Sequence, residues 1–243
     1  MNNYKNFYFM KENYVHVCFV IDESGSMSGN ESDVIGGFKK VINEQKENKD
    51  GGCAVSFYKF ATNVEEVYKG VDVKEVDYLD GKYSPGGMTA LYDAIGKAID
   101  DITDWMDDLP KEERPEKTVF VIMTDGEENN SHEYSLARIR KMIKHQEKGH
   151  DWTFVYMGSD LSNAKEVDNL GIKTRCFSSK KDYLNNYDII NTSLSTYRCA
   201  CGDAGEKGAL FTETLNIACD VATTAYANDN NIDLNSLTGK DSE

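Results

Sequence analysis

Residues 15–26 have the sequence VHVCFVIDESGS, and this stretch decides the fold. The run over residues 15–21 is typical of a short strand that is buried on both faces of a parallel sheet. Asp22, Ser24 and Ser26 follow it at alternating positions and supply one carboxylate and two hydroxyl groups. Hard oxygen ligands of this kind suit a small divalent cation. The stretch therefore predicts a cation site directly after a central strand.

Two later segments offer further oxygen ligands to the same site. Residues 86–91, GGMTAL, place Thr89 on a glycine-loosened loop that opens a helix, and residues 119–126, VFVIMTDG, carry Asp125 at the end of a second buried strand. Ligands of a doubly wound sheet collect at the carboxyl ends of its strands, where the topology reverses. We therefore expect Asp22 and Asp125 at one edge. The alternative is that these residues serve only as turn and cap residues.

Apolar runs alternate with amphipathic helical patterns along the chain, which predicts an α/β fold with a doubly wound, Rossmann-like, mostly parallel sheet. Central strands are predicted at residues 16–21, 118–123 and 152–157, and a weaker last strand at 175–177. Residues 53–60 and 64–68 are separated by a short turn, and they predict a hairpin with an antiparallel strand at the sheet edge. Helical stripes begin near Ile35, Leu91, Leu136, Ala164 and Tyr183.

The predicted organisation has four parts: an N-terminal extension at residues 1–13, the α/β domain at 14–200, a C-terminal helical extension at 201–226, and a disordered tail at 227–243. Gly202, Gly205 and Gly208 indicate a loop before the last amphipathic segment. That segment either packs back on the domain or presents itself to a partner, and both possibilities stay open. The tail is rich in Asn and Asp, a composition typical of disorder.

The charge of the chain bounds its partners. Its 243 residues include 27 basic and 42 acidic side chains, a net charge of −15. This balance disfavours binding to nucleic acid or to anionic membrane surfaces, because both kinds of binding require clustered Lys and Arg side chains. No signal-peptide pattern or membrane-length apolar run occurs, so a cytoplasmic protein is predicted. The six cysteines are expected to be reduced, and the spacing of Cys199 and Cys201 differs from that of zinc ribbons.

The three motifs resemble the von Willebrand factor type A (vWA) domain with its metal-ion-dependent adhesion site. Residues 87–95, GMTALYDAI, and residues 113–129 are similar to segments of stand-alone vWA proteins of bacteria and their phages. The resemblance covers residues 14–200. It implies that Ser24, Ser26 and Thr89 coordinate Mg²⁺ (or Mn²⁺) directly, and that Asp22 and Asp125 hold the ion mostly through waters. It also implies a protein partner whose Asp or Glu completes the coordination shell.

Three functional hypotheses follow. The first is a non-catalytic, cation-dependent protein-binding module in the cytoplasm of a bacterium or a phage-infected cell. The second is an adaptor of an AAA+ ATPase or a stress-resistance complex, a role of other bacterial vWA proteins. The third is a metal-dependent hydrolase, which is disfavoured because no paired-metal cluster or phosphate-binding glycine loop is visible. Partner identity, pathway and oligomeric state stay open.

Two sets of residues near these motifs have alternative interpretations. Glu23, Glu127 and Glu128 either select basic groups around a partner's carboxylate or are solvated loop charges, and the second interpretation is favoured. His145 and His150 are five residues apart, which does not suit one helical face. They are predicted to have surface roles rather than to form a metal pair.

Overall fold

A single mixed sheet forms the centre of the protein. The computed structural model describes residues 11–159, 161, 164–179 and 183–234. The described strands form one six-stranded sheet, ordered β3-β2-β1-β4-β5-β6. Their bounds are β1 (Lys11–Asp22), β2 (Gly52–Phe60), β3 (Val64–Asp72), β4 (Pro115–Met123), β5 (Trp152–Gly158) and β6 (Thr174–Phe177).

Strand direction matches the predicted architecture. β1 pairs in parallel with both β2 and β4, and β4, β5 and β6 continue the parallel arrangement. β3 pairs antiparallel with β2 and forms one edge. The doubly wound, mostly parallel sheet with one antiparallel edge strand is thereby confirmed. Because the chain runs outward from β1 in one direction and from β4 in the other, the topology reverses between these two strands.

Helices cover both faces of the sheet and bury two apolar layers. Their bounds are α1 (Glu31–Glu47), α2 (Leu91–Asp108), α3 (Leu136–Gly149), α4 (Ala164–Leu170), α5 (Tyr183–Cys199) and α6 (Ala204–Asp229). Phe19 of β1 faces the layer formed with α1 and α5, whereas Val20 faces the layer formed with α2, α3 and α4. This alternation follows from the two-residue period of a strand. No helix among the described residues combines the length and apolar character needed to span a bilayer.

The C-terminal helix begins earlier than predicted. The expected loop around Gly205 and Gly208 is wrong, because both glycines lie inside α6. Asp203 caps the helix by accepting hydrogen bonds from the backbone amides of Gly205 (2.9 Å) and Glu206 (3.1 Å). Such a cap satisfies amides that have no partner within the helix. The helix also continues through residues 227–229, where the composition predicts a disordered tail. Residues 1–10 and 235–243 lie outside the described residues.

α6 packs along β6 and covers the second edge of the sheet. The amide of Phe177 in β6 donates to Thr223 Oγ1 of α6 at 3.0 Å. Near the start of α6, Lys207 Nζ lies 2.8 Å from Glu116 and donates to Asn13 Oδ1 at 2.7 Å. These contacts anchor the helix to β6, β4 and β1. The six cysteines are all free, in agreement with the sequence analysis.

Candidate functional site

The predicted site residues come together at the carboxyl edge of the two central strands. Asp22 is the last residue of β1, and Asp125 follows β4 by two positions. Ser24 directly precedes a short 3-10 turn over residues 25–27, and Ser26 lies within that turn. Thr89 lies two residues before α2. The sequence motifs thus converge where the topology of the sheet reverses.

Gly126 shows how close these groups are. A side-chain carbon built on this glycine would lie 3.1 Å from Thr89 Oγ1, 3.2 Å from Ser26 Oγ and 3.5 Å from Asp22 Oδ2. Three oxygens from three separate segments therefore surround one small volume beside the Gly126 backbone. Ser24 Oγ joins them, because it lies 3.0 Å from Ser26 Oγ.

This donor set has the chemistry and spacing of a magnesium site. Magnesium takes six oxygens at 2.0–2.1 Å in octahedral geometry, so neighbouring ligand oxygens stand roughly 3 Å apart. The separation of Ser24 Oγ and Ser26 Oγ, 3.0 Å, fits that requirement. All of the surrounding groups are hydroxyls or carboxylates, and none is the softer sulfur or imidazole ligand that zinc and copper favour. The residues present therefore fit a small, hard divalent cation.

Asp22 is fully buried and held by two hydrogen bonds. Its Oδ1 accepts from the Ser24 amide at 2.6 Å, and its Oδ2 accepts from the Thr124 hydroxyl at 2.6 Å. Burial raises the pKa of Asp22, and the nearby charge of Asp125 adds to this effect, while the hydrogen bonds from Thr124 and Ser24 oppose it. The carboxylate is oriented before any ligand arrives.

Thr124 belongs to the candidate site and was missed by the sequence analysis. Its hydroxyl donates to Asp22 Oδ2 and accepts a 3.0 Å hydrogen bond from the Gly126 amide. It thereby joins the end of β1 to the turn after β4, and its side chain is fully buried. The signal was available, because Thr124 lies between the apolar strand and Asp125.

Asn129 was also missed, and it fixes the position of Thr89. The Thr89 amide donates to Asn129 Oδ1 at 2.9 Å, and the Thr89 carbonyl oxygen accepts from the Asn129 amide at 3.0 Å. Thr89 is consequently clamped at its backbone, and its side chain is almost fully buried. Nothing in the local sequence pairs these two residues, which are forty positions apart.

The glycine loop before Thr89 is tied down rather than loosened. Gly86 donates its amide to the Glu23 carbonyl oxygen at 2.8 Å, and the Gly87 carbonyl oxygen accepts from the Gly25 amide at 3.2 Å. Gly87 has a φ of 82°, and a side-chain carbon there would stand 2.6 Å from Thr62 Oγ1. Glycine is needed at this position for both its backbone conformation and its closeness to Thr62.

The acidic residues around the site have different roles from those expected. Glu23 lies 3.2 Å from Lys59 Nζ and accepts from the Ser84 amide, so it is an anchored loop residue. Glu128 accepts from the Tyr92 amide at 2.9 Å and from the Ser131 amide at 2.7 Å, which caps the first turn of α2. Neither is a solvated loop charge, and only Glu127 is exposed.

The histidine and cysteine side chains are the ligands that a softer metal such as zinc would need. His145 and His150 are both exposed, as the sequence predicts for surface residues, and their rings are in contact with centroids 5.5 Å apart. The contact arises because His150 follows the end of α3 and is no longer on its helical face. The thiol of Cys199 donates to Asp50. Within the described ranges, no group of three or more His, Cys, Asp or Glu side chains is arranged to hold a metal ion.

Structural comparison places the chain among proteins of one fold. The vWF domain of the type V pili tip protein Mfa5 from Porphyromonas gingivalis has a TM-score of 0.58 at 12% identity, covering 78% of this chain and 97% of that one. Proximal thread matrix protein 1 from the mussel byssus gives 0.54 at 15% identity over 77% of this chain, and a von Willebrand factor type A protein from Catenulispora acidiphila gives 0.53 at 16% over 76%.

The length of the match differs among these proteins. The chain spans 47% of the mussel protein and 43% of the Catenulispora protein, so it corresponds to less than half of either. No curated protein matches the chain significantly. The family model of the von Willebrand factor type A domain matches residues 16–192, which include residues 16–22 of β1, the whole of β2 to β6 and all five predicted site residues. The chain belongs to the von Willebrand factor type A domain family.

Proposed function

We propose that this protein binds a protein partner through a divalent cation, Mg²⁺ or Mn²⁺, held at the carboxyl edge of β1 and β4. One observation carries the proposal. Ser26 Oγ, Thr89 Oγ1 and Asp22 Oδ2 converge beside Gly126, although they come from three segments of the chain. Turn and cap residues acting independently would not need to aim their oxygens at a common point.

Each residue has a distinct part in this proposal. The hydroxyl oxygens of Ser24, Ser26 and Thr89 would hold the cation, and the carboxylates of Asp22 and Asp125 would balance its charge. When bound, the cation supplies a positive charge with a coordination position open to an acidic group. Ser26 is exposed whereas Asp22 is fully buried, so the open position faces solvent on the serine side.

Electrostatics makes binding conditional on the cation. Asp22, Asp125 and the exposed Glu127 stand at the same edge of a chain that carries a net charge of −15. A partner's Asp or Glu would be repelled by this surface, since like charges at short range are unfavourable. A bound divalent cation reverses the local charge and makes the same edge attractive to a carboxylate. The site would therefore act as a cation-gated receptor for an acidic side chain.

We further propose that the binding is non-catalytic. A metal-dependent hydrolase needs a free general base beside its metal. Asp22 is poorly placed for that role, because its side chain is fully buried and each of its oxygens already accepts a hydrogen bond. The similar Mfa5 domain comes from a pilus tip protein, which agrees with a binding role for this fold.

A cytoplasmic location is part of the same proposal. All six cysteines are free, including the exposed Cys199 and Cys201. Unpaired, exposed thiols are typical of reducing compartments. An adaptor of an AAA+ ATPase would be one form of this binding function. Co-purification of an ATPase in the presence of Mg²⁺, and its loss with chelator, would identify it.

Calorimetric titration with Mn²⁺ and Mg²⁺ tests the site directly. Asp22→Asn, Asp125→Asn and Ser26→Ala should each weaken cation affinity about tenfold or more, since each removes a charge or a ligand oxygen. Ser28→Ala is the matched control, because Ser28 lies exposed on the same loop outside the cradle. Asparagine keeps the shape of the buried Asp22, so circular dichroism should show an intact fold. If all four variants bound the cations as tightly as wild type does, the proposed cation site would be contradicted.

A pull-down from the native host tests the partner. Wild-type protein should retain a partner with Mg²⁺ and lose it with chelator. Thr89→Ala should weaken partner binding more than cation binding, if a direct bond from the threonine to the cation marks the partner-competent state. A partner that binds wild type and variants equally well with chelator present would contradict the cation-dependent function.

A further inference from the structure

The C-terminal helix presents a second surface that is unrelated to the cation site. α6 lies beyond residues 16–192, the part of the chain that matches the family. Its inner face is fixed to the sheet through Lys207 and Thr223, and Leu215 and Cys219 are fully buried between them. The helix is thus held rigidly, and its opposite face points away from the domain.

That outer face carries an apolar stripe. Leu210, Ile217 and Val221 are 53%, 57% and 65% exposed, and they are the three most exposed large apolar side chains of the described residues. Their spacing of seven and four residues places them along one line of the helix. Isolated exposed apolar residues are ordinary on a protein surface, but a line of three on a fixed helix marks an interaction surface.

A row of carboxylates runs beside the stripe. Glu206, Glu213 and Asp220 recur every seven residues and are exposed. None of the three has a lysine or arginine partner among residues 11–159, 161, 164–179 and 183–234. The single basic residue of α6, Lys207, is buried on the inner face. The outer face of α6 is therefore apolar along one line and uniformly acidic along the next.

A groove follows the acidic side of this surface. It has a volume of about 590 Å³, and its lining includes Asp151, Glu213, Ile217 and Asp220. Its shape comes from the close approach of α6 to the turn before β5. A side-chain carbon on Gly208 would collide with the Asp151 carboxylate, so the glycine lets the two elements touch. This groove is shallow and open to solvent, and it borders the apolar line on its acidic side.

We propose that the outer face of α6 binds an amphipathic helix of a partner protein whose apolar stripe is bordered by lysine or arginine. Apolar residues at helical spacing accept the apolar face of a second helix, as in helix-in-groove recognition. The bordering carboxylates require opposite charges beside that stripe. A second copy of this chain fits poorly, because it would bring two acidic rows and two net charges of −15 together. An anionic lipid surface is disfavoured for the same electrostatic reason.

Two synthetic helical peptides of about 21 residues test this surface. Both carry leucine at the core positions, and they differ in having lysine or glutamate at the flanking positions. We expect fluorescence anisotropy to show binding of the lysine peptide to the full chain and no binding of the glutamate peptide. The affinity for the lysine peptide should fall as salt is raised. Chelator should leave it unchanged, so the result is independent of the proposed cation site.

Variants locate the binding on α6. The double variant Ile217→Glu with Val221→Glu should lower the affinity for the lysine peptide about tenfold or more. Leu184→Glu is the matched control, because Leu184 is another exposed apolar side chain, on α5, and it should bind like wild type. The double variant Glu213→Lys with Asp220→Lys changes only exposed residues and leaves the core untouched. It should bind the lysine peptide more weakly than wild type and should bind the glutamate peptide.

Four results would overturn the proposal. They are absence of lysine-peptide binding by wild type, equal binding of both peptides, equal binding by the Ile217→Glu/Val221→Glu variant, and an equal loss in Leu184→Glu. Analytical sedimentation of the wild-type chain provides a further test, because it shows whether a second copy of the chain occupies this face. A dimer that Ile217→Glu dissociates would show that a second copy, and not a basic helix, covers this face.

Discussion

Gly126 faces the hydroxyl of Thr89 across a gap that holds no side chain: a carbon built on the glycine would lie 3.1 Å from Thr89 Oγ1. The gap is also bordered by Ser26 Oγ at 3.2 Å. A glycine at this point therefore keeps open a volume that any other residue would fill. The consequences of filling it with a side chain are measurable.

Gly126→Ala should abolish cation binding without unfolding the protein. The added methyl group would stand between the three oxygens, and the backbone of Gly126 has no positive φ that alanine would strain. Gly86→Ala is the matched control, because a methyl group there meets nothing within 4 Å. Calorimetry with Mn²⁺ should show loss of binding in the first variant only. Undiminished binding by Gly126→Ala would show that the ion, if any, lies elsewhere.

Two adjacent glycines of α1 should respond in opposite ways to the same change. A side-chain carbon on Gly37 would overlap the ring of Tyr187, lying 2.7 Å from its Cγ, whereas one on Gly36 would have only an ordinary 3.9 Å contact with Leu184. Gly37→Ala should cost about 1–3 kcal/mol of unfolding free energy by overpacking. Gly36→Ala should stabilise by roughly 0.5–1 kcal/mol through helix propensity. Urea unfolding measures both, and equal shifts would contradict the observed packing of α1 on α5.

His16 should make the fold sensitive to acid. Its ring is fully buried, with Nε2 2.9 Å from Ser56 Oγ and the ring beside Trp105, and burial lowers the pKa of His16 to about 3. The unfolded chain has a histidine of ordinary pKa, 6.5. Below that pH the unfolded state takes up a proton that the folded state does not bind until the pH nears 3. Stability from this group is therefore complete above pH 6.5 and decreases as the pH falls toward 3.

The size of this effect follows from linkage. Between pH 7.5 and 5.5 the histidine should reduce the unfolding free energy by about 1.4 kcal/mol. His16→Gln keeps a polar group near Ser56 but does not titrate. The difference between wild type and this variant, measured by urea unfolding at both pH values, isolates the histidine from other titrating groups. An identical pH dependence in the two proteins would mean that His16 is not buried in its neutral form.

Thiol reactivity should divide the six cysteines into two groups. Cys199 and Cys201 are exposed, and the other four are buried, so a thiol reagent should modify two groups in the native protein and six after denaturation. Cys201 should react faster, because the hydrogen bond to Asp50 raises the pKa of the Cys199 thiol. Cys199→Ser and Cys201→Ser assign the two rates. Rapid modification of more than two thiols in the native protein would contradict the described core.

The central strands could be predicted from the sequence because burial on both faces leaves a continuous apolar run. β4 shows this pattern over residues 119–123 and β5 over most of its length, and the burial of both strands is almost complete. α6 was harder, since Gly205 and Gly208 have the composition of a loop. Helix formation there depends on the Asp203 cap and on the approach to Asp151, and the second of these contacts is tertiary.

The five candidate site residues were predicted from motifs, whereas the residues that hold them in place were not. Asn129 fixes Thr89 from forty positions away, and Glu128 caps α2 from a loop that follows β4. Neither pairing leaves a periodic or spacing signal along the chain. Glu128 illustrates the limit best, since its composition suggests a surface charge while its carboxylate is occupied by backbone amides. Such roles become visible only when the strands bring distant loops together.

The covering of β6 by α6 has a consequence for how the chain is made. β3, at the opposite edge, carries Glu65, Glu66 and Lys69, charged residues that discourage strand addition. β6 is a short strand with one charged residue, Arg175, and Thr223 and the rest of α6 cover its outer edge. Because α6 is the last described helix, a nascent chain emerging from the ribosome displays an open sheet edge until residues 204–229 have been synthesised. We therefore expect a chain that stops before α6 to expose the β6 edge and to aggregate.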